Sequence, residues 1–480
     1  MIALLLILIP LLTGLISFFT KNEKAVRAWA LFASLITLAV SIIGLTLLKD
    51  EKYLTFHAEW MSSIGSSFSI RLDGMGQLLC LLTALAYPLV LVATWNTSYR
   101  NSNNFFGLML LAQAGLMGVF LAIDALLFYF FWELALIPMY FLCSQWGGER
   151  RIQVTFKFFI YTFIGSVLML VGILYVYSHT PTRSFDITSF YSSRLSDPQQ
   201  SFVFWLFFAA FAVKMPIFPF HTWQPDTYEQ SPTATTMILS GVMVKMGVFG
   251  MLRWMMPVIP IAFYRWGDTT SFLAIVGMIY ASLIALVQDD LKRFVAYSSI
   301  AHMGLMCLAI FATTNSGLQG VMIQMFNHGV NIIGLWIVAD VIENQLGTRK
   351  FSELGGLAQR APTLAILLMI MALANVALPL TNAFIGEFMM FNGLFRYNIW
   401  ITAIAMISMI LAVVYTLNMV QKIFYGNTTV ATDGATDITT GAKLMLIVVV
   451  IVVVVLGVYP QPMFQLTNDT VQAVLIKFHP

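Results

Sequence analysis

The chain has 480 residues, 59% of them hydrophobic and only 10% charged, with a mean hydropathy of +0.84 and a formal net charge of +3. A soluble domain of that length needs far more surface charge, so composition alone makes this an all-α, multi-pass protein whose solvent is the lipid bilayer. The basic residues are scattered, which excludes the concentrated positive stripe that a nucleic-acid partner requires.

Requiring about 20 mostly apolar residues per crossing, the sequence predicts fourteen spans, centred near residues 10, 38, 85, 112, 134, 166, 210, 245, 278, 303, 329, 375, 410 and 451. The first, IALLLILIPLLTGLISFF, has no basic residue ahead of it and no small-residue cleavage site, which predicts a retained helix and not a signal peptide. Of the 25 Lys and Arg residues, Lys214 and Lys245 fall inside spans, fourteen follow odd-numbered spans and nine lie on the other side. The positive-inside rule then puts both termini outside. Cys80, Cys143 and Cys307 all fall in apolar spans without metal-ligand spacing, so they read as small hydrophobes and no metal site is expected.

Spans one to three, within residues 1–100, read as packing helices. Between the second and third, the polar excursion from Lys49 to Asp73 contains SFSIRLD, whose alternation predicts an external hairpin. Span five begins just after Asp124 and reads LLFYFFWELALIPMYFLCSQW, which sets Glu133 among aromatics with Pro138 five residues on. An ionised group at that depth costs roughly 2.5 to 3.5 kcal/mol on insertion scales, so it persists mainly with a partner or a task. Lys157 opens span six close enough to the interface to snorkel. The Ser/Thr/Pro-rich stretch from Ser178 to Ser201 reads as a solvated external loop.

Span seven contains Ala209 to Pro232, AAFAVKMPIFPFHTWQPDTYEQSP, a greasy helix with Lys214 in its middle. Pro216 and Pro219 each remove a backbone donor, so the helix is expected to open between Lys214 and His221 and leave carbonyls free. Such breaks are tolerated only against protein or water, and many transporters build mid-membrane ion sites from a broken helix carrying a charge. His221, Asp226 and Glu229 then line the inside mouth, where a solvated loop role and a proton-intake role are both open. Span eight starts at Ser231-Pro232, read as a cap followed by a first-turn proline, and carries Lys245 at depth.

Span ten places Ser298 and His302 four apart on one face, and span eleven repeats the device with Gln324, His328 and Asn331. Span twelve is interrupted at Pro379, with Thr381 and Asn382 beside the break and Glu387 two turns beyond it. Asp124 and Asp340 lie near span ends and read as interfacial. The two breaks lie five spans apart, which points to a repeat. Spans four to eight (residues 101–260) and nine to thirteen (261–425) are its units, and residues 426–480 hold span fourteen, after which the chain stops.

Glu133, Lys214, Lys245, His302, His328 and Glu387 are therefore titratable groups at membrane depth, offering both charge signs and imidazoles that exchange protons near neutral pH. That set suits a proton relay. Burial favours a neutral lysine and a nearby carboxylate favours a charged one, so a shift of Glu133 relative to Lys214 switches the lysine between holding and releasing its proton. No side chain spans about 30 Å of hydrocarbon, so protons hop between groups with water that Asn and Gln near the histidines hold. Moving one charge against 100 mV costs roughly 2.3 kcal/mol, and no Walker loop, no dinucleotide glycine pattern after a strand and no cysteine cluster supplies it. The energy must come from an opposing ion gradient or a partner subunit.

FFWELALIPMYF, KFFIYT, FAVKMPIFPFHTWQPD with SPTATT, VKMG, DLKRFVAYSSIAHMG, FNHG and ELGGL, in that order, resemble the antiporter-like membrane subunits of respiratory complex I, a family shared with multisubunit sodium/proton antiporters. The resemblance covers spans four to thirteen. It implies fourteen helices with two inverted five-helix repeats and proton pumping driven by quinone reduction elsewhere, in a bacterial plasma membrane. It implies that Glu133 and Lys214 form a controlling pair, that Lys245, His302 and His328 continue the relay, and that Glu387 is the terminal site. No cofactor is expected on this chain; FMN, iron-sulfur clusters and quinone are expected on partner subunits, with antiporter-like neighbours L and N in the membrane. Glu387, where other members usually carry lysine, and the absence of a long lateral helix resemble the subunit M branch, the mitochondrial subunit 4 type. Tyr228 departs from the family, which often has histidine there.

Other readings remain. The Lys214 and Glu133 pair also reads as an interhelical ion pair that fixes packing, Lys245 as a snorkelling lysine, His302 and His328 as packing donors, and Glu387 as an interfacial carboxylate. For the chain as a whole the alternatives are a subunit of a sodium/proton antiporter and a non-pumping membrane scaffold.

Overall fold

The computed structural model describes residues 1–46 and 51–478. Helices α1 (Ile2–Ser17) and α2 (Glu23–Thr46) are followed by strands β1 (Thr55–Met61) and β2 (Ser66–Arg71), then α3 (Gly74–Ala93) and α4 (Ser102–Leu121). Helices α5 (Ala125–Trp146), α6 (Arg151–Ser178), α7 (Asp197–Lys214), α8 (Trp223–Gln230) and α9 (Thr233–Met255) complete the first repeat. The second consists of α10 (Gly267–Val287), α11 (Leu291–Phe311), α12 (Asn315–Leu346), α13 (Pro362–Asn375), α14 (Asn382–Tyr397) and α15 (Ile399–Phe424). Helices α16 (Thr440–Val458) and α17 (Gln461–Phe478) end the chain.

Among the described residues, eleven helices are long and apolar enough to cross a bilayer. The short α1 and the two interrupted pairs, α7 with α8 and α13 with α14, bring the crossings to the fourteen expected. The interruptions fall at residues 215–222 and 376–381, where Pro216, Pro219 and Pro379 withhold backbone donors. Through their membrane-depth stretches α9 and α12 are buried on every side, which lets them carry polar residues on any face. Around them α2, α6, α15 and α16 turn residues such as Phe156, Ile164, Ile410 and Ile451 outward, as lipid-facing helices do.

The inverted repeat is visible in backbone pairing. Before α5, Ala125 N donates to Phe185 O and Ile187 N to Ile123 O, both at 2.9 Å. Five spans later Leu291 N donates to Arg349 O at 3.0 Å and Phe351 N to Asp289 O at 2.7 Å. An odd number of crossings separates the two motifs, so they close their units on opposite faces.

Three expectations are corrected. The chain does not stop at the fourteenth span: α17 follows, burying Met463, Thr467, Val471, Val474 and Phe478 along one stripe. The external loop ends at Ser196, not Ser201, because Gln199 Oε1 accepts from Ser196 N at 2.8 Å and starts α7 early. Ser231 closes α8 instead of capping α9, whose first residue is Thr233. Asp124, at the start of α5, is fully buried, accepting from Ser66 Oγ, Ser67 N, Leu126 N and Leu127 N at 2.9–3.0 Å. That contact docks the expected hairpin, β1 paired antiparallel with β2, onto the start of α5; Lys49 and Asp50 lie outside the described residues.

Candidate functional site

The buried charges form two groups. In the first, Lys214 is the last residue of α7, where the helix dipole favours a cation. It is 1% exposed, its Nζ has no hydrogen-bond partner in the protein, and it lies 5.6 Å from the centre of the Trp132 ring. Glu133, next along α5, is half-buried, and its Oε1 also lacks a protein partner. The expected pair thus shares one neighbourhood through Trp132 without a direct ion pair.

The second group is a series of neighbours. Lys245, fully buried, donates from Nζ to Ser240 O at 2.8 Å and meets His328 Nδ1 at 2.9 Å. Ser240 lies in a π-helical turn, Leu239–Met243, a local widening often found at functional sites. With Lys245 as an ammonium, Nδ1 of His328 accepts, which leaves the ring proton on Nε2. The rings of His328 and His302 are 5.6 Å apart between centres, and neither Nε2 has a protein partner. His302 Nδ1 meets Glu387 Oε1 at 3.0 Å, and Gln324 Nε2 reaches the same oxygen at 3.4 Å. Glu387 is 5% exposed. Beside it His302, Ser408 and Tyr415 help line a cavity of about 20 Å³, the size one water needs.

Helix contacts set this geometry. A Cβ on Gly386 would meet Gln324 Oε1 at 2.3 Å, so glycine there lets α14 close on α12 and brings Glu387 to Gln324. A Cβ on Gly247 would lie 2.7 Å from Phe211 O, so α9 and α7, the helices of Lys245 and Lys214, touch. The second break is braced by Asn327 Nδ2, which donates to Asn382 O at 2.7 Å. Below it, toward the inside, Asn375 Nδ2 donates to Ser298 Oγ at 3.2 Å and Thr416 Oγ1 at 3.1 Å.

At the inside mouth, Lys157 does more than snorkel: its Nζ meets Asp226 Oδ2 at 2.8 Å. Asp226 and Glu229 both pair with Arg293, so they belong to an ion-pair cluster, while His221 is buried against Phe218 and Tyr280. Asp340 is buried on α12 and accepts from Asn344 Nδ2 at 3.0 Å. Sequence reasoning missed the Ser240 carbonyl, the Trp132 ring, Asn327 and the arginines of the inside cluster. The first has no residue signature, and the partners of Asp226 and Glu229 lie 64 to 120 residues away. Among the described residues no group of three or more His, Cys, Asp or Glu is placed to hold a metal.

Two inverted five-helix units, each opened by a broken helix that carries a buried charge, define an antiporter-like membrane protein. Residues 122–414 match the family described as NADH:quinone oxidoreductase/Mrp antiporter, TM. The chain is 34% identical to NADH-quinone oxidoreductase subunit M of Rhodobacter capsulatus over 96% of its own length and 91% of that protein's. It superposes on a chain of respiratory complex I from Thermus thermophilus with a TM-score of 0.93, 28% identity and full coverage of both chains. A chain of the Mrp complex from Dietzia, 19% identical with a TM-score of 0.86 and 99% of both chains covered, shares the fold. The chain belongs to the NADH:quinone oxidoreductase/Mrp antiporter membrane family, in its subunit M branch.

Proposed function

We propose that this chain is the proton-translocating antiporter-like subunit of an NADH-quinone oxidoreductase, moving protons through its buried relay as quinone is reduced elsewhere in the enzyme. In this reading FMN, iron-sulfur clusters and quinone reside on partner subunits, no redox centre lies on this chain, and antiporter-like neighbours of the L and N type flank it. Residues 101–260 and 261–425 act as the two halves, with 1–100 and 426–480 as flanking regions. The observation that carries the reading is the series Lys245, His328, His302, Glu387, in which polar contacts of 2.9 and 3.0 Å and a ring approach of 5.6 Å bring four titratable side chains together.

Glu133 and Lys214 set the charge at the entrance of this relay. An uncharged Lys214 offers no repulsion to a proton on Lys245, and a charged one opposes it, so the field of one lysine biases the other across touching helices. Lys245 passes a proton to His328 Nδ1; His328 releases from Nε2 toward His302, and His302 Nδ1 delivers to Glu387. The two unpartnered Nε2 atoms face the demand that buried polar groups be met by water. The test is Lys214→Ala or Glu133→Ala in intact membranes, with proton pumping and quinone reduction read together. Wild-type levels of both would end the controlling-pair assignment. Mild-detergent purification separates this function from that of an ion-gradient antiporter subunit, because flavin and iron-sulfur subunits travel with the chain only in the first.

A further inference from the structure

The inside cluster joins the two repeats at one short helix. Asp226 and Glu229, three residues apart on α8, face the same way, and a single nitrogen, Arg293 Nη1, bonds Asp226 Oδ1 at 3.0 Å and Glu229 Oε2 at 2.9 Å. On the first-repeat side, Asp226 Oδ2 holds Lys157 at 2.8 Å and Glu229 Oε1 holds Arg150 at 3.1 Å. On the second, Glu229 Oε1 meets Arg349 Nη2 at 3.4 Å, and Arg349 continues to Asp290 at 2.5 Å and Glu343 at 2.8 Å. Glu343 also pairs with Lys292 at 2.6 Å. Five cations and four anions are thus linked, and Arg150, Lys292, Arg349, Glu229 and Glu343 of them line a cavity of about 440 Å³.

Each pair is partly exposed and weak alone; their arrangement is what matters. Helix α8 is the inner half of the first broken helix, separated from Lys214 only by residues 215–222 and tied back to the residue before that lysine by Trp223 Nε1, which donates to Val213 O at 2.9 Å, so a displacement at the break reaches it directly. Arg293 lies near the start of α11, nine residues or about 14 Å along the same rigid helix from His302. We propose that Arg293 is a positioning residue that carries displacement of α8 to the helix holding His302, so that the state of the first break sets the spacing within the relay. The inference rests on the proton-relay function proposed above.

The test uses the whole complex in proteoliposomes, with quinone reduction and proton uptake measured in the same sample. Arg293→Gln and Glu229→Gln each lower the protons moved per quinone reduced, roughly twofold, while quinone reduction persists. Arg293→Lys restores the ratio, because one nitrogen makes both bonds, and the Arg293→Gln/Glu229→Gln double variant is no worse than either single. A structural pin would change assembly or total rate and leave the ratio alone. Wild-type ratios in the single variants, or an Arg293→Lys as impaired as Arg293→Gln, overturn the proposal; should Arg293→Gln fail to assemble, Glu229→Gln decides. Lys245→Ala separates the two levels. If it stops pumping while the cluster variants keep a full ratio, only the coupling role falls; if it pumps normally, the relay falls and the coupling role with it.

Discussion

The two repeats share a backbone plan and differ in how they treat their buried charge. In the first, Lys214 ends a helix with an aromatic ring for company and no hydrogen bond. In the second, Glu387 is tied to His302 and Gln324 and through them to the rest of the relay. A bare charge is poised to change state, because no bond opposes the loss of its proton; a tied one is suited to handing a proton along. The same asymmetry recurs at the last helix of each unit. Arg253, near the end of α9, makes a two-pronged pair with Asp73 at 2.5 and 2.7 Å. Lys422, at the matching place on α15, has only the Phe351 ring at 6.0 Å. The outer end of the first unit is pinned and the inner end of the second is left loose.

The largest effect expected from breaking this contrast is at Lys245, where the tied group begins. Lys245→Ala deprives His328 Nδ1 of its partner and is expected to cut proton uptake by inverted vesicles about a hundredfold or more, with quinone reduction falling less. Next comes the pinned end. Asp73→Asn leaves Arg253, 7% exposed at its side chain, without its counter-charge, and breaking such a buried pair costs about 3 to 5 kcal/mol; Lys422→Met costs about 0 to 1 kcal/mol. Burial raises the Asp73 carboxyl's pKa, yet Arg253 outweighs it and holds the group below its ordinary 3.8. Stability from this pair is therefore present above about pH 4 and lost as pH falls through the lower folded value. Thermal inactivation of the purified complex across acid pH checks both statements, and Asp73→Asn flattens the profile.

Much of this plan is legible in the sequence because oil imposes simple rules. Long apolar runs count the crossings, prolines mark the two breaks, and each lone charge in an apolar run announces itself by its cost. Helix α17 escapes that logic: its apolar residues form a stripe, not a run, so a rule based on all-round hydrophobicity passes over it. The π turn under Lys245 is equally silent, since any residues can form it when the neighbouring helix demands a free carbonyl. The ion pairs at the inside mouth depend on how α6, α8, α11 and α12 end together, which no local pattern encodes. The spacing of His302 and His328 predicts polar faces on α11 and α12, but that Glu387 joins them follows only from the glycine-mediated approach of α14 to α12.

At the tied end the contrast sharpens through Glu387→Gln, which keeps the shape and removes the charge. The carboxylate gives up one charge-assisted bond with His302, worth about 1.5 kcal/mol, so pumping is expected to fall about tenfold. It falls less than at Lys245, because the adjoining cavity admits a water to the same place. A loss as complete as that of Lys245→Ala would mean that no such water substitutes.

The smallest expected effect compares the two helix caps that the repeat makes equivalent. Asp124 caps α5 with four hydrogen bonds from a fully buried position, two of them holding the hairpin. Asp124→Ala strands those donors and costs about 1 to 3 kcal/mol. Asp290 caps α11 through Arg293 N alone and otherwise meets Arg349. Asp290→Ala costs about 1 kcal/mol, since Arg349 keeps Glu343 and Glu229. Thermal inactivation of the two variants side by side measures the difference. Equal losses would mean that hairpin docking adds nothing to the cap, and that the first unit is held no more firmly at its outer face than the second at its inner one.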